Sequence, residues 1–314
     1  MNTASTVLNI VVPMAGLGSR FAKAGYELPK PLIPVHGVPM IKVVIDNLSP
    51  SRPHRFIFIC QQEHIAAYDL KDRLAAWAPG SHVVAIGGLT EGAACTVLAA
   101  ENHIDADAPM MVANSDQFVE SSIDDYLSTQ DRMQADGLIM TMWADDPKWS
   151  FVELADGLVR RVVEKEVISN DATVGIYNFR RGRDFIEGAK RMIARNERVN
   201  GEFYVAPVYN ELIRDGARVV AHSIGSTSEG MHGLGTPADL DLFLVHPQSR
   251  RWVGATNDCC AVAPRILASP IRKEYCRGVS PLLWLRLWHR DRRAGLPRRV
   301  GDLSRSASRR RVEL

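Results

Sequence analysis

Apolar runs alternate with amphipathic stretches along the first 116 residues of the chain. Four runs with the length and composition of buried strands lie at 7–13, 55–60, 82–86 and 109–113. Helix-like stretches lie between them, at 40–48, 64–77 and 91–104. This alternation predicts an α/β fold with a Rossmann-like, mostly parallel central sheet, in which ligands bind beyond the carboxyl ends of the strands.

The pattern changes after residue 136. Closely spaced strand candidates follow at 137–143, 150–154, 159–164 and 172–179. They predict an added subsheet of antiparallel strands over the ligand side of the main sheet. Two helices are expected near 182–195 and 204–215, and then a strand at 218–222. A last helix begins with Thr236 as its N-cap and Pro237 at its first position, and ends near residue 246.

Charge is distributed unevenly along the chain. Residues 250–314 hold 15 Arg and one Lys against three Asp and two Glu, a net charge of +11, whereas residues 1–249 carry a net charge of −9. We therefore expect one α/β domain over 1–249 and an Arg-rich, disordered C-terminal extension over 250–314. An apolar stretch at 281–288 leaves open a partner-binding helix that attracts anionic lipid or nucleic acid, and the composition also fits an out-of-frame gene end.

The sequence carries no membrane or secretion signal that we recognise. No apolar run is long enough to cross a bilayer, and the first residues lack the charged and apolar regions of a signal peptide. We expect a cytoplasmic protein without a membrane span. No nucleic-acid partner is expected for the acidic domain, and a homo-oligomer remains open.

A glycine-rich loop follows the first strand, with the sequence Pro-Met-Ala-Gly-Leu-Gly-Ser-Arg-Phe at 13–21, and Pro-Lys-Pro-Leu follows at 29–32. The glycines let backbone N–H groups wrap a polyphosphate. Arg20 supplies a planar fork for phosphate oxygens, and Lys30 adds a compact positive charge. The Rossmann motif Gly-x-Gly-x-x-Gly and the Walker A motif are both absent, which argues against a nicotinamide-binding oxidoreductase. The candidate phosphate-binding residues are Ala15, Gly16, Leu17, Gly18, Ser19, Arg20 and Lys30.

The two segments together resemble the sugar-phosphate nucleotidyltransferase family, whose motif is Gly-x-Gly-[Ser/Thr]-Arg followed by Pro-Lys-Pro-Leu. The resemblance covers residues 7–246 and implies transfer of an NMP unit from an NTP to a small phosphorylated acceptor, with release of pyrophosphate. It implies that Arg20 neutralises the leaving pyrophosphate and that Lys30 stabilises charge around the reacting α-phosphate.

A nearer resemblance is to a branch of that family found in surface-polysaccharide gene clusters, for capsule or lipopolysaccharide precursors. This branch includes CTP:phosphoglutamine cytidylyltransferase. The segments that carry the resemblance lie at 56–61, 91–96, 113–117, 200–204 and 233–237.

Asp116 lies just past the predicted parallel strand at 109–113. Mg²⁺ takes one or two carboxylates and completes its shell with phosphate oxygens and water, and the resemblance implies that Asp116 is its ligand. The alternative role, as an N-cap of the following helix, fits less well because Asp116 lies several residues too early. Family members usually carry a second metal-binding Asp where this chain has Gly233; Asp239 is nearby, but its place in a helix cap already accounts for it.

The same resemblance assigns the acceptor side. Glu164 and Lys165 stand where the family has Glu-Lys-Pro, with Glu166 here in place of Pro, and would hold the acceptor and its phosphate. Gly175 would let the acceptor approach the sheet closely. A solvated Glu-Lys pair on a strand and a plain helix start at 200–204 are the alternatives. The candidate acceptor-binding residues are Asn114, Glu164, Lys165, Gly175 and Glu202.

The preference for a nucleobase is inferred from residues 87–92, Gly-Gly-Leu-Thr-Glu-Gly. Many thymidylyl- and uridylyltransferases of the family have a Gln here, and this chain has none. The Glu91 carboxylate only accepts hydrogen bonds, so it suits the amino group of cytosine or guanine and disfavours O4 of uracil or thymine. The small Ala93 and Ala94 would let the base approach closely, and Gly92 and Ala93 join Glu91 as candidate nucleotide-binding residues. Together with the nearer resemblance, this favours CTP.

Catalysis is predicted to rest on positioning and charge stabilisation by Arg20, Lys30, Lys165 and Mg²⁺ on Asp116, because a phosphate dianion needs no general base. Two other classes remain. A glycosyltransferase of related topology would hold its metal with Asp-x-Asp, whereas here a single acid is present. A non-catalytic regulatory homologue should have lost Arg20, Lys30 or Asp116, and all three are present. The sequence does not identify the acceptor.

Overall fold

The computed structural model describes residues 6–227 and 229–254, which form thirteen β-strands and ten α-helices. The strands are β1 (Leu8–Pro13), β2 (Pro34–Val35), β3 (Val38–Pro39), β4 (His54–Gln61), β5 (His82–Ile86), β6 (Met110–Ala113), β7 (Gln117–Val119), β8 (Gly137–Trp143), β9 (Ser150–Ala155), β10 (Leu158–Glu164), β11 (Asp171–Phe179), β12 (Val219–Thr227) and β13 (Gly230–Gly233). The helices are α1 (Ser19–Lys23), α2 (Met40–Leu48), α3 (Gln62–Ala67), α4 (Leu70–Trp77), α5 (Ala93–Leu98), α6 (Ile123–Met133), α7 (Gly182–Ala194), α8 (Val208–Arg214), α9 (Pro237–Val245) and α10 (Ser249–Trp252). None of these helices combines the length and the apolar character needed to cross a membrane.

Eleven of the strands form one sheet, whose main path runs in the order β5, β4, β1, β6, β11, β8, β12, β13, β7. The first four are parallel neighbours, β11 runs antiparallel to both β6 and β8, and β12 is parallel to β8. The antiparallel pair of β9 and β10 lies against β11, and β2 and β3 form a separate small sheet. The predicted α/β architecture with added antiparallel strands is confirmed.

Burial on both faces explains the unbroken apolar run of the first strand. In β1, Ile10 packs with Phe56 in one core layer, whereas Val11 packs with Ile57 in the opposite layer. Successive residues of a strand point to opposite faces, so a strand covered on both sides is apolar at every position. Helices α2, α4 and α6 cover one layer, and α5, α7 and α8 cover the other.

Several predicted elements differ from the structure in their limits. The helix expected at 64–77 is two helices, α3 and α4, because Asp69 adopts the left-handed conformation (φ 51°) between them. The stretch at 91–104 is helical only in α5 and in a 3₁₀ turn at Glu101–His103, and the helix expected from 204 begins at Val208. Strands β7 and β13 have three and four residues, too few to show a period in the sequence.

Packed structure continues past residue 249, where we expected the domain to end. Helix α10 begins at Ser249, and Trp252 stacks on Phe118 and His246, with ring centres 5.1 and 4.6 Å apart. Residues up to 254 therefore continue the packing of the domain. The expected disordered extension, including the apolar stretch at 281–288, lies outside the described residues from 255 onward.

Candidate active site

The phosphate loop, residues 14–18, joins β1 to α1. Its start is tied to the neighbouring strand, where Met14 N donates to Ile59 O at 2.9 Å. Gly18 adopts the left-handed conformation (φ 59°) directly before α1. A β-carbon at Gly18 would lie 3.3 Å from Cβ of Lys30, so glycine lets the loop and Lys30 approach each other closely.

An ion pair between Lys30 and Asp116 lies in front of this loop. The Lys30 ammonium donates to Oδ2 of Asp116, and the two side chains are 21% and 24% exposed. Two hollows of about 240 and 290 Å³ flank the pair, and both are lined by Gly18, Lys30 and Asp116. The first extends to Asn114 and the second to Arg20. The predicted phosphate-binding cations therefore lie around a single carboxylate.

The surroundings of Asp116 suit a hard cation that takes phosphate oxygens among its ligands. Gly235 packs against the carboxylate, since a β-carbon there would lie 2.7 Å from Oδ2. Residues 6–227 and 229–254 contain no group of three or more His, Cys, Asp or Glu side chains placed to hold a metal ion. One carboxylate beside space for phosphates fits Mg²⁺, which takes its other ligands from phosphate oxygens and water. The Lys30 ammonium would have to leave Oδ2 first.

Asp239 lies beside the position of the expected second acid. A β-carbon at Gly233 would lie 3.4 Å from Cγ of Asp239. The Asp239 carboxylate accepts from Thr236 Oγ1 at 2.7 Å, and its backbone N–H donates to the same oxygen at 3.1 Å. These bonds cap α9, as the sequence predicts. Asp239 therefore has a structural role that accounts for it.

Glu164 and Lys165 are adjacent in the chain but have different surroundings. Glu164 is buried and accepts a hydrogen bond from Ser150 Oγ. Burial raises the pKa of Glu164, and the charge of Glu202 adds to the rise, while Ser150 and Lys165 oppose it. Lys165 has a left-handed backbone (φ 58°). Its ammonium donates to the Tyr204 hydroxyl and lies 4.3 Å from the centre of the Tyr204 ring. Tyr204 therefore holds the cation that the resemblance assigns to the acceptor phosphate.

A tight turn brings Glu202 into this cluster. Asn200 and Gly201 have φ values of 50° and 82°, and Val199 pairs with Glu202 as an antiparallel bridge. Asn-Gly is favoured in such turns because both central positions need positive φ. We call residues 199–204 the acceptor hairpin.

The acceptor hairpin docks on the base loop, residues 87–92. Phe203 N donates to Glu91 O at 2.8 Å, and Ala94 N donates to Phe203 O at 3.0 Å. Gly92 (φ 130°) permits this approach, because a β-carbon there would lie 2.5 Å from both N and O of Phe203. The two segments are therefore joined through their backbones.

The Glu91 carboxylate is paired with a cation. It accepts a hydrogen bond from Arg198 Nη2 at 2.9 Å, and the Glu91 side chain is 63% exposed. A base amino group would have to compete with Arg198, so recognition of the base by Glu91 stays a prediction. Sequence reasoning missed Arg198, because the contact spans 107 residues and no local pattern marks it.

Gln61 is a second residue that sequence reasoning missed. It ends β4, and its Nε2 donates to Ala15 O at 2.6 Å and reaches Gly88 O at 3.5 Å. Gln61 thus links the phosphate loop to the base loop. The available signal was a polar residue at the carboxyl end of a predicted parallel strand.

Gly175 and Gln117 are close neighbours of Asn114. Asn114 N donates to Gly175 O at 3.0 Å, and a β-carbon at Gly175 (φ 91°) would overlap the Asn114 carboxamide. The same β-carbon would lie 3.0 Å from Oε1 of Gln117, a buried residue that sequence reasoning also missed. Only glycine therefore fits at residue 175.

The predicted residues fall on three parts of the structure. The first part is the phosphate loop with α1, beside the hollows that Lys30 and Asp116 line. It carries Ala15, Gly16, Leu17, Gly18, Ser19 and Arg20. Glu91, Gly92 and Ala93 lie where the base loop enters α5. The third part combines several segments. It consists of Asn114 just past β6, Glu164 and Lys165 at the end of β10, Gly175 in β11 and Glu202 in the acceptor hairpin. Their individual roles stay predictions.

Two curated relatives of the chain are bifunctional proteins. The chain is 27% identical over 216 residues to bifunctional protein GlmU of Methanococcus maripaludis, which is 67% of this chain and 48% of that protein. It is 28% identical over 223 residues to bifunctional protein GlmU of Cupriavidus metallidurans, which is 68% of this chain and 46% of that protein. The chain thus spans about half the length of these curated relatives. Neither relative bears on the nearer resemblance to the cytidylyltransferase branch, which stays a prediction.

Solved structures share the fold. The nucleoside-diphosphate-sugar pyrophosphorylase from Vibrio cholerae has a TM-score of 0.66 at 27% identity, over 76% of this chain and 100% of that chain. The inositol-1-phosphate CTP transferase from T. maritima has a TM-score of 0.62 at 13% identity, over 82% of this chain and 99% of that chain, a likeness of fold alone. The family model described as nucleotidyl transferase matches residues 10–204, more than half of the chain. The chain therefore belongs to the nucleotidyl transferase family.

Proposed function

We propose that the chain transfers an NMP unit from an NTP to a sugar phosphate or another small phosphorylated acceptor and releases pyrophosphate. The observation that carries this proposal is the arrangement of Arg20, Lys30 and Asp116 around the two hollows in front of the phosphate loop. Two cations and one acid suit a triphosphate with a bound divalent ion better than they suit a neutral ligand.

The reaction proposed is an in-line displacement. An oxygen of the acceptor phosphate attacks the α-phosphorus, and the bond from that phosphorus to the oxygen bridging the α- and β-phosphates breaks. The electron pair leaves with pyrophosphate. Arg20 binds the leaving pyrophosphate, Lys30 the α-phosphate, and Lys165 orients the acceptor phosphate. Mg²⁺ held by Asp116 would neutralise charge on the phosphate oxygens.

The favoured nucleotide is CTP, and the proposed setting is the synthesis of surface-polysaccharide precursors. Support for CTP comes from the Glu91 carboxylate, which accepts hydrogen bonds only. Steady-state competition among CTP, UTP, dTTP and GTP tests the preference. Glu91→Gln should weaken the preference for CTP. Arg198→Ala should strengthen that preference, because the Glu91 carboxylate is then free to accept from the base. A preference of the unaltered chain for UTP or dTTP would contradict this part of the proposal.

The main experiment measures pyrophosphate release with four NTPs and a panel of phosphorylated acceptors. Asp116→Asn keeps the shape of the side chain and removes its charge, so turnover should fall by about 10²–10³-fold while the unfolding midpoint stays close to that of the unaltered chain. A second readout is binding of an NTP with a methylene α,β-bridge, whose affinity should rise with Mg²⁺ only when Asp116 is present.

Asp156→Asn is the matched control, because Asp156 lies exposed in the turn between β9 and β10 and Asn accepts its left-handed conformation. Full turnover of Asp116→Asn would remove the metal assignment. Sugar transfer from a nucleotide sugar without pyrophosphate would instead identify a glycosyltransferase, and tight NTP binding without turnover a regulatory homologue.

A further inference from the structure

Gln117 is buried and has no partner for its carboxamide. It is 2% exposed, and neither Nε2 nor Oε1 forms a hydrogen bond within residues 6–227 and 229–254. Leaving a buried donor or acceptor unpaired is costly, so such a group calls for a partner that a ligand, an ion or water supplies. Gln117 directly follows Asp116 in the chain, which places this amide next to the candidate reaction centre.

The position of the carboxamide relates it to the acceptor residues. Oε1 of Gln117 and Nδ2 of Asn114 both approach the face of Gly175 where any other residue would carry a β-carbon. Asn114 is exposed and lines the first hollow beside the Lys30–Asp116 pair. The Asn114 side chain is therefore a neighbour both of that hollow and of the Gln117 carboxamide.

A second unpartnered group lies on β8, the strand that pairs with β11 beyond Gly175. Thr141 Oγ1 is buried without a partner among the described residues, and Thr141 is the register partner of Thr173 in β11. Directly opposed residues share a face of the sheet. Thr173 bonds to the Tyr177 hydroxyl at 2.9 Å, and the charge of Glu164 contributes to the raised pKa of Tyr177. Buried polar groups thus continue from Gln117 across β11 towards Glu164.

We propose that Gln117 is a specificity-determining residue of the acceptor subsite. Its carboxamide donates to and accepts from a group of the phosphorylated acceptor that does both, namely a hydroxyl or an amide close to the phosphate. This proposal rests on the proposed function. An acceptor without such a group leaves the Gln117 amide unpaired, as it is in the free chain; it forgoes these hydrogen bonds and binds more weakly than an acceptor that makes them.

Gln117→Met tests the proposal, because methionine keeps nearly the same shape and removes both polar atoms. The matched control is Gln130→Met, since Gln130 in α6 is also buried with an unpartnered Nε2 but lies outside the candidate site. The acceptors are glucose 1-phosphate, inositol 1-phosphate and n-butyl phosphate, which has no further hydroxyl. For each acceptor, pyrophosphate release gives the KM of the acceptor and the KM of CTP.

In Gln117→Met, the KM of the better hydroxyl-bearing acceptor should rise about 10–100-fold, while the KM of CTP stays within about twofold. The preference over n-butyl phosphate should shrink by the same factor. Gln130→Met should change neither value. Both variants should unfold at the same temperature as the unaltered chain or higher, because an unpaired buried amide is replaced by an apolar group of similar shape.

An unchanged acceptor KM in Gln117→Met would overturn the proposal, as would a rise confined to the KM of CTP. An unfolding temperature of Gln117→Met below that of the unaltered chain, with Gln130→Met not lowered, would also overturn it, because Gln117 would then be a structural residue. This stability comparison needs no turnover. Failure of the unaltered chain to release pyrophosphate with any NTP and acceptor would instead defeat the proposed function, and this inference with it.

Discussion

The phosphate region and the acceptor region of this chain are built in different ways. The phosphate region takes most of its groups from one short stretch, residues 14–30, and its central ion pair is partly open to solvent. The acceptor region takes its groups from the ends of β6 and β10, from β7 and β11, and from the acceptor hairpin. It buries Glu164 and Gln117. A phosphate loop can therefore be found from a motif, whereas an acceptor subsite depends on which distant segments the fold brings together.

The largest expected effect separates the lysines of the two regions. Lys30→Ala should lower kcat by about 10²–10³-fold, because one charge near the reacting α-phosphate is lost. Lys165→Ala should act mainly on the acceptor, raising its KM about 10–100-fold, since a charge-assisted hydrogen bond to its phosphate disappears. Steady-state kinetics with each substrate varied in turn measures both. Equal effects on kcat and on the two KM values in both variants would remove the functional distinction between the regions.

The next test concerns the contact that supports the acceptor region. Gly92→Ala should destabilise the chain by about 2–3 kcal/mol, because the new β-carbon meets the Phe203 backbone and the residue keeps a positive φ. Gly157→Ala is the matched control: Gly157 also has a positive φ (72°), but nothing lies within 4 Å of the added carbon, so about 1 kcal/mol is expected. Denaturant unfolding measures both free energies, and equal losses would show that the Phe203 contact contributes little.

A smaller effect is expected from one hydroxyl. Tyr204→Phe keeps the ring under the Lys165 ammonium and removes the hydrogen bond that positions it. The acceptor KM should rise about 3–10-fold, with the KM of CTP unchanged. Tyr204→Leu removes the ring as well and should raise the acceptor KM further. An effect on CTP alone would place Tyr204 in the nucleotide site instead.

The smallest effect is expected beyond both regions. A chain that ends at Gly254 should keep its turnover number and its nucleotide preference, as the expected dispensable extension predicts. A chain that ends at Ser249 should lose about 1–2 kcal/mol of unfolding free energy, because Trp252 no longer stacks on Phe118 and His246. Activity assays and thermal unfolding of the two chains measure this difference. Loss of turnover in the longer chain would assign the extension to the enzyme.

Elements with a strong local pattern could be predicted from the sequence. Helix α2 and strand β5 have the predicted limits, and the N-cap of α9 is the predicted Thr236. The break at Asp69 was missed, because an Asp in the left-handed conformation leaves no mark in the apolar pattern. Arg198 and Gln117 were missed since their importance lies in contacts with residues far along the chain. The motif thus indicated the family, but not the two groups to which we assign a part in substrate selection.

Phe203 is bonded through its backbone N–H and its carbonyl oxygen to the segment that enters α5. These two bonds couple the position of the acceptor hairpin to that of the base loop. If a bound nucleotide orders the base loop, part of the entropy loss for ordering the hairpin is met before the acceptor arrives. Each substrate should then tighten the binding of the other by the same factor, as linkage requires.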